Sequence, residues 1–195
     1  VFYMQTTKKA DVLSVTVEGA IITALAMALN YLPHTTGISA VEFSYGLVPL
    51  TIYAFRRGFL PATLSGFVWG ILDLILRGLG NGSVLNPLQG FLEYFIAFAL
   101  VGLAGLGYKT VQTRIHSGKS ILAPALGYAT LGIFGKYLIH FIAGGYYWGM
   151  YAPKGMNPWI YSLTVNGGSA LANVVLVLVV LVLLKSSMKT LLVPK

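Results

Sequence analysis

A lysine and a histidine stand four residues apart in the otherwise apolar stretch KYLIHFIAGGYYW, residues 136–148. On a helix, Lys136 and His140 would lie one turn apart on the same face. Burying a charged group among apolar side chains is costly unless the group has a partner or a function. An amino group and an imidazole close to aromatic rings, here including Trp148, suit the recognition of a small, flat, polar ligand.

Carboxylates that could join this pair are few, because the chain has only five acidic residues. Glu93 falls in a predicted helix, and Glu42 falls in the loop between the first two predicted helices. Both are candidates, with Lys136 and His140, for one outward-facing site. An alternative stays open, in which Glu93 and Lys136 form a buried structural ion pair.

A polar stripe at helical spacing occurs near the end of the chain. Its members are Ser162, Asn166, Ser169 and Asn173, spaced by four, three and four residues. Tyr161 lies beside the stripe. Because lipid cannot solvate polar groups, we expect the stripe to face the other polar helices. The outer residues are predicted to line a pocket, and Ser169 and Asn173 to hold helices together.

The composition identifies the environment of these residues. Of 195 residues, 56% are hydrophobic and 9% are charged, whereas soluble domains carry about 25% charged residues. The chain is therefore predicted to be an integral membrane protein with one domain, residues 1–195. It has no cysteine, which excludes disulfides and thiolate metal sites. No nucleotide-binding or hydrolase motif occurs, so the sequence predicts neither an ATPase nor a catalytic site.

Six apolar segments predict an all-α membrane fold with six transmembrane helices. They cover roughly residues 11–32, 44–55, 59–78, 87–108, 120–147 and 158–185. Asn86-Pro87 and Asn157-Pro158 predict helix starts, with an N-cap residue followed by proline at the first helical position. The second segment is the shortest and could dip into the membrane rather than cross it.

The basic residues predict the orientation of this bundle. With both termini in the cytoplasm and six spans, ten of them lie inside and two lie outside, as the positive-inside rule requires. The inner residues are Lys8, Lys9, Arg56, Arg57, Lys109, Arg114, Lys119, Lys185, Lys189 and Lys195, and the outer ones are Arg77 and Lys154. The net charge of +8 thus reflects membrane topology rather than a nucleic-acid partner.

A stripe of small residues occurs on the first helix, where Ala20, Ala24 and Ala28 follow one another at intervals of four. Such a strip lets another helix approach closely. The strip could pack inside the bundle, or it could dock on a partner membrane protein.

Several stretches resemble the thiamine-specific substrate-binding (S) component of energy-coupling factor (ECF) transporters. They are EGAIITALA in the first helix, PLTIYAFRRG, FLEY, KYLIHFIAGGYYWGMYAPKG and WIYSLTVNG. The resemblance covers most of the chain and implies a six-helix fold that captures thiamine from outside under a lid formed by the first loop. It also implies a prokaryotic plasma membrane and import driven by a separate module of two ATPase subunits and one transmembrane coupling subunit.

The resemblance further implies which residues bind the ligand. They are Glu42, Glu93, Tyr94, Lys136, His140, Trp148, Tyr161, Ser162 and Asn166. By resemblance, Glu93 and His140 would contact the aminopyrimidine and Trp148 would stack on a ring. Tyr94 and Asn166 would approach the thiazolium or its hydroxyethyl tail. The coupling subunit would dock on the strip of Ala20, Ala24 and Ala28.

The sequence departs from the family in its aromatic residues. HTTGISAVEF has no tryptophan in the first loop, where Phe43 or Tyr45 could substitute, and GNGSVLN lacks an expected tyrosine. The prediction is a vitamin-binding subunit in contact with lipid, not an enzyme, with no cofactor and no metal. Two alternatives stay open: an S component for a thiamine precursor or another flat heterocycle, and a stand-alone proton-coupled carrier.

Overall fold

The computed structural model describes residues 2–33 and 41–194, with side chains from residue 11 onward. This part of the chain is almost entirely helical. The helices are α1 Phe2–Leu29, α2 Leu47–Arg57, α3 Phe59–Gly78, α4 Pro87–His116, α5 Leu122–Tyr146, α6 Pro158–Leu183 and α7 Met188–Leu192. Part of the predicted lid, residues 34–40, lies outside the described residues.

Within the described residues, five helices are long and apolar enough to cross a membrane: α1 from Asp11 onward and α3 to α6. The all-α membrane fold is therefore confirmed. α2 has only 11 residues, about half of what a span needs. The count of six transmembrane helices and the cytoplasmic position of both termini stay predictions.

α1 and α3 run in the same direction, as contacts at two levels show. In the middle of α1, Glu18 pairs with Arg57, next to the start of α3, at 2.7 Å. Just after the end of α1, Asn30 donates a hydrogen bond to Asp73 at 3.1 Å. The chain between α1 and α3 must therefore return through the full height of the bundle, and α2 forms the second half of that return.

The described residues directly before α2, 41–46, are not helical, and α6 supplies hydrogen-bond partners for their backbone. The amide of Glu42 donates to Ser169 Oγ at 3.0 Å, and the amide of Ser44 donates to Asn173 Oδ1 at 2.8 Å. Asn173 Nδ2 also donates to the Glu42 carbonyl and to the Tyr137 hydroxyl. Non-helical backbone at membrane depth needs such internal partners. Ser169 and Asn173 thus hold this segment, and Asn173 also holds α5.

The two predicted Asn-Pro helix starts are confirmed. Asn86 accepts a hydrogen bond from the amide of Gln89 at 3.0 Å, and Asn157 accepts one from the amide of Trp159 at 2.8 Å. Each asparagine satisfies one of the amides that a helix start leaves without a partner.

α3 and α4 contain π-helical turns, Leu74–Gly78 and Phe91–Ile96. Such turns insert a residue into the helical repeat and are frequent at functional sites. The second one carries Glu93 and Tyr94, so the irregular part of α4 coincides with the predicted ligand-binding residues.

The C-terminal segment folds back against the end of α2. Arg56 Nη1 donates to the carbonyl oxygens of Leu191 and Val193, at 3.1 and 2.8 Å. Gln112 on α4 donates to the carbonyl of Leu192 at 2.7 Å. The end of the bundle that carries most of the basic residues is therefore closed by α7.

Candidate functional site

Two adjoining cavities, of about 300 and 380 Å³, lie at the end of the bundle where α5 ends and α6 begins. Both are lined by Glu42, Glu93, His140 and Trp148. The first, the Lys136 cavity, is also lined by Asn30, Asp73, Arg77, Asn81, Ser83, Tyr94, Phe98 and Lys136. The second, the Asn166 cavity, is also lined by Gly144, Tyr151, Tyr161, Ser162, Val165 and Asn166. All nine predicted ligand-binding residues therefore lie together.

Glu93 is the centre of the hydrogen bonds in this site. Its Oε1 lies 3.2 Å from His140 Nδ1, and its Oε2 accepts from Trp148 Nε1 at 2.8 Å. Oε2 also accepts from Gln89 Nε2. The carboxylate thus joins α4 to α5 and to the segment that follows α5, and it fixes the orientation of both aromatic rings.

Gln89 is itself held in place by the loop that precedes α4. Its Oε1 accepts from the amide of Leu85 at 2.9 Å, and its Nε2 also donates to the carbonyl of Ser83 at 3.1 Å. The fully buried Gln89 therefore acts as a support that aligns Glu93, one helical turn further on.

His140 leaves one polar atom without a partner among the described residues. Its Nε2 is buried and makes no hydrogen bond. Because an ionised carboxylate only accepts hydrogen bonds, Nδ1 must donate to Glu93, and Nε2 of the neutral ring is then an acceptor. An unpaired buried acceptor is unfavourable. It points to a donor that a ligand supplies.

Lys136 is only 2% exposed. Its Nζ lies 5.0 Å from the ring centroid of Phe98 and 4.5 Å from that of Tyr137, which are cation–π distances. The described part of the chain shows no ion pair at Lys136, since Glu93 pairs with His140 instead. The alternative of a structural Glu93–Lys136 ion pair is therefore wrong.

Ser162 and Asn166 connect α6 to the backbone of α5. Ser162 Oγ donates to the carbonyl of Phe141 at 2.7 Å, and Asn166 Nδ2 donates to the carbonyl of His140 at 3.3 Å. They line the Asn166 cavity and also fix the distance between the helices that bound it. Tyr161, one residue before Ser162, lines the same cavity.

Six residues that line the Lys136 cavity were not predicted as site residues: Asn30, Asp73, Arg77, Asn81, Ser83 and Phe98. Asp73 and Arg77 form an ion pair one helical turn apart, at 3.1 Å. The sequence contained the relevant signal, because an aspartate within a membrane helix is a functional candidate by default. In the part of the chain that is described, no group of three or more His, Cys, Asp or Glu residues could hold a metal ion.

The first loop does not supply an aromatic wall in its described part. Phe43 stacks on Tyr45, with 6.3 Å between ring centroids, and the Tyr45 hydroxyl donates to the carbonyl of Pro33. Neither ring lines either cavity. The expectation that Phe43 or Tyr45 replaces the missing tryptophan is therefore wrong for this structure.

Ala20, Ala24 and Ala28 lie on the exposed face of α1. The neighbouring apolar residues Val17 and Ile21 are exposed as well. Packing of the alanine strip inside the bundle is therefore wrong, and docking on a partner stays a proposal.

Comparison with known proteins adds independent evidence. Residues 16–193 match the family described as "Thiamine transporter protein (Thia_YuaJ)". The chain is 57% identical over 170 residues to "Thiamine transporter ThiT" of Lacticaseibacillus paracasei, covering 86% of this chain and 85% of that protein. It is 30% identical over 176 residues to "Thiamine transporter ThiT" of Bacillus subtilis, covering 86% and 88%.

A solved structure is also similar. It is that of ThiT from Listeria monocytogenes, which superposes with a TM-score of 0.84 at 31% sequence identity. The match covers 94% of this chain and all of the other.

Proposed function

The chain belongs to the thiamine transporter protein family, and from this premise we propose that its two cavities form a binding site for thiamine. The family consists of transporters rather than enzymes, and the chain is a multi-pass membrane protein. The family that the sequence motifs indicated is thereby confirmed. Which residues bind the ligand stays a proposal, which the geometry of the site supports.

The observation that carries the proposal is the arrangement of Glu93, His140 and Trp148. His140 Nε2 has no hydrogen-bond partner among the described residues, and in the neutral ring it would accept from the exocyclic amino group of an aminopyrimidine. Trp148 lines both cavities, and an indole ring there suits stacking on an aromatic ring of a ligand. Glu42 lines both cavities and would place a carboxylate near a thiazolium cation.

Calorimetric titration of the purified full-length protein tests this proposal. Thiamine is expected to bind with one site per chain, and the separate aminopyrimidine and thiazole halves are expected to bind more weakly. If a half binds as tightly as thiamine, the protein is an S component for that precursor. If thiamine and both halves fail to bind to monodisperse protein, the thiamine site is wrong.

We also propose that uptake requires a separate ECF module of two ATPase subunits and one transmembrane coupling subunit. The exposed strip of Ala20, Ala24 and Ala28 is the proposed docking surface. An Ala24→Trp variant should keep thiamine binding and fail to copurify with the module. Leu171→Trp, on the exposed face of α6, is the matched control and should assemble normally. Equal assembly of both variants would contradict the docking surface.

A stand-alone proton-coupled carrier is the competing mechanism. The contact between Glu93 and His140 favours it, because such pairs can exchange a proton. Vesicles that contain the protein without the ATPase module distinguish the two. The proposed mechanism predicts no thiamine accumulation in these vesicles. Accumulation that is abolished by collapsing the pH gradient would establish the carrier instead.

A further inference from the structure

A third cavity, of about 400 Å³, lies at the end of the bundle opposite the thiamine site. Its lining residue on α6 is Leu181, which is fifteen residues beyond Asn166. Because a helix rises 1.5 Å per residue, the two sites are ~22 Å apart along α6. Lys119, Lys185 and Lys189 line this cavity, which is called the basic cavity below.

The charge of the basic cavity is not neutralised by the described residues. The chain has only five acidic residues, and none of them lines it. Four of the five pair with the arginines of α2 and α3 or with His140, and the fifth, Glu42, lines the thiamine site. Three lysines therefore line one cavity, and no acidic side chain of the described residues lines it with them, which makes the cavity attractive to an anion.

The interior of the basic cavity is apolar. Ala125, Leu181 and Met188 are buried there, with 0, 3 and 6% exposure. The cavity lies where α5 begins and α6 ends, and the ends of membrane-crossing helices lie near the membrane surface. A cationic rim above an aliphatic interior at this depth matches a molecule with a negative headgroup and an acyl chain. A free anion would use only the rim.

We propose that the basic cavity binds an anionic phospholipid of the adjacent leaflet. The phosphate lies against the three lysines, and an acyl chain packs along the aliphatic interior. The positive-inside rule assigns this end to the cytoplasmic leaflet. Basic pockets between helices on that side are suited to anionic headgroups.

Native mass spectrometry of the full-length protein in neutral detergent tests the proposal. The probes are phosphatidylglycerol, phosphatidylcholine with the same acyl chains, and glycerophosphoglycerol, which is the headgroup without chains. The test variant is Lys185→Gln/Lys189→Gln, and Lys185→Arg/Lys189→Arg keeps the charge. The matched control is Lys109→Gln/Lys154→Gln, which removes two exposed lysines outside the cavity. Each variant is first shown to be monodisperse and to unfold cooperatively.

The proposal predicts that phosphatidylglycerol binds at least about tenfold more tightly than phosphatidylcholine. The glutamine variant loses this preference, while the arginine variant and the control keep it. Equal binding of the two lipids, or equal losses in the test and control variants, would overturn the proposal. Binding of glycerophosphoglycerol as tight as that of the lipid would reassign the cavity to free phosphate esters. If none of the probes binds, the lipid assignment is overturned, and an acidic protein segment becomes the candidate ligand of the cavity.

Discussion

The Glu93 carboxylate accepts hydrogen bonds from three side chains, those of Gln89, His140 and Trp148. Charge-assisted hydrogen bonds in a buried site are strong and directional. They hold the imidazole and the indole in fixed positions before a ligand arrives. Such preorganisation lowers the entropic cost of ordering these side chains when the ligand binds.

Glu93→Gln is therefore expected to weaken thiamine binding at least tenfold, or about 1.4 kcal/mol. The new amide can present an N–H group to donors that need an acceptor, so His140 and Trp148 lose their alignment. Calorimetry with thiamine measures the change. Asp11→Asn is the control, because the Asp11 side chain is 72% exposed on α1, remote from the cavities. An unchanged affinity in Glu93→Gln would contradict the central role of Glu93.

Lys136 shows a conflict between stability and binding. Its ammonium is buried against two aromatic rings and forms no ion pair within the described residues. Removing a buried charge in favour of a well-packed apolar side chain often stabilises a protein. Residues at functional sites commonly lower the stability of the folded protein in this way.

Lys136→Met is expected to raise the free energy of unfolding by about 1 kcal/mol or more and to weaken thiamine binding. Thermal unfolding in detergent and calorimetry measure the two effects. Lys154→Met removes an exposed lysine and should change neither quantity. A destabilised Lys136→Met variant with unchanged affinity would show that Lys136 is structural.

At the scale of the helices, α3 and α4 approach so closely that only glycine fits between them. A Cβ atom on Gly70 would overlap the carbonyl oxygen of Tyr94, and one on Gly66 would overlap that of Phe98. Tyr94 is the residue after Glu93, so this contact sets the position of the site residues on α4. The π-helical turn at Phe91–Ile96 lies directly against it.

Gly70→Ala is expected to push α4 away from α3, to destabilise the protein by about 1–3 kcal/mol and to weaken thiamine binding. Gly127→Ala is the matched control, since a Cβ there meets no atom within 4 Å. In a helix that change should be neutral or slightly stabilising. If the two variants have the same unfolding temperature and affinity, the close approach does not position the site.

The sequence predicted the helices, and which polar side chains lie near one another, better than the path of the chain between α1 and α3. Ionisable residues such as Glu93 and His140 are conspicuous in apolar segments, so their membership of one site was predictable. Their pairing was not, because it depends on the register between α4 and α5. The sequence also did not reveal that Ser169 and Asn173 bind the non-helical segment before α2. That contact joins residues more than 120 positions apart.

On the scale of the whole molecule, the two ends of the bundle differ in chemistry. One end holds the two cavities with the carboxylates, His140 and the aromatic rings. The other holds the basic cavity and the paired arginines of α2. This polarity is what a protein needs if it takes a ligand from one side of a membrane and is anchored electrostatically on the other.

Cysteine labelling tests the predicted orientation and the number of crossings. The chain has no cysteine, so a single introduced cysteine is labelled without background from other thiols. Lys154→Cys is expected to react with a membrane-impermeant maleimide in intact cells. Lys9→Cys and Ser186→Cys are expected to react only after permeabilisation. Labelling of only one of the two termini in intact cells would mean that the return through α2 does not complete a sixth crossing.

The most direct test of the account is a thiamine titration followed by tryptophan fluorescence. The chain has three tryptophans, Trp69, Trp148 and Trp159, and only Trp148 lines the proposed site. The account predicts saturable quenching at sub-micromolar thiamine. The quenching should disappear in Trp148→Phe and persist in Trp159→Phe. No saturable quenching in the wild-type protein, or equal quenching in the two variants, would contradict the assignment of these cavities to thiamine.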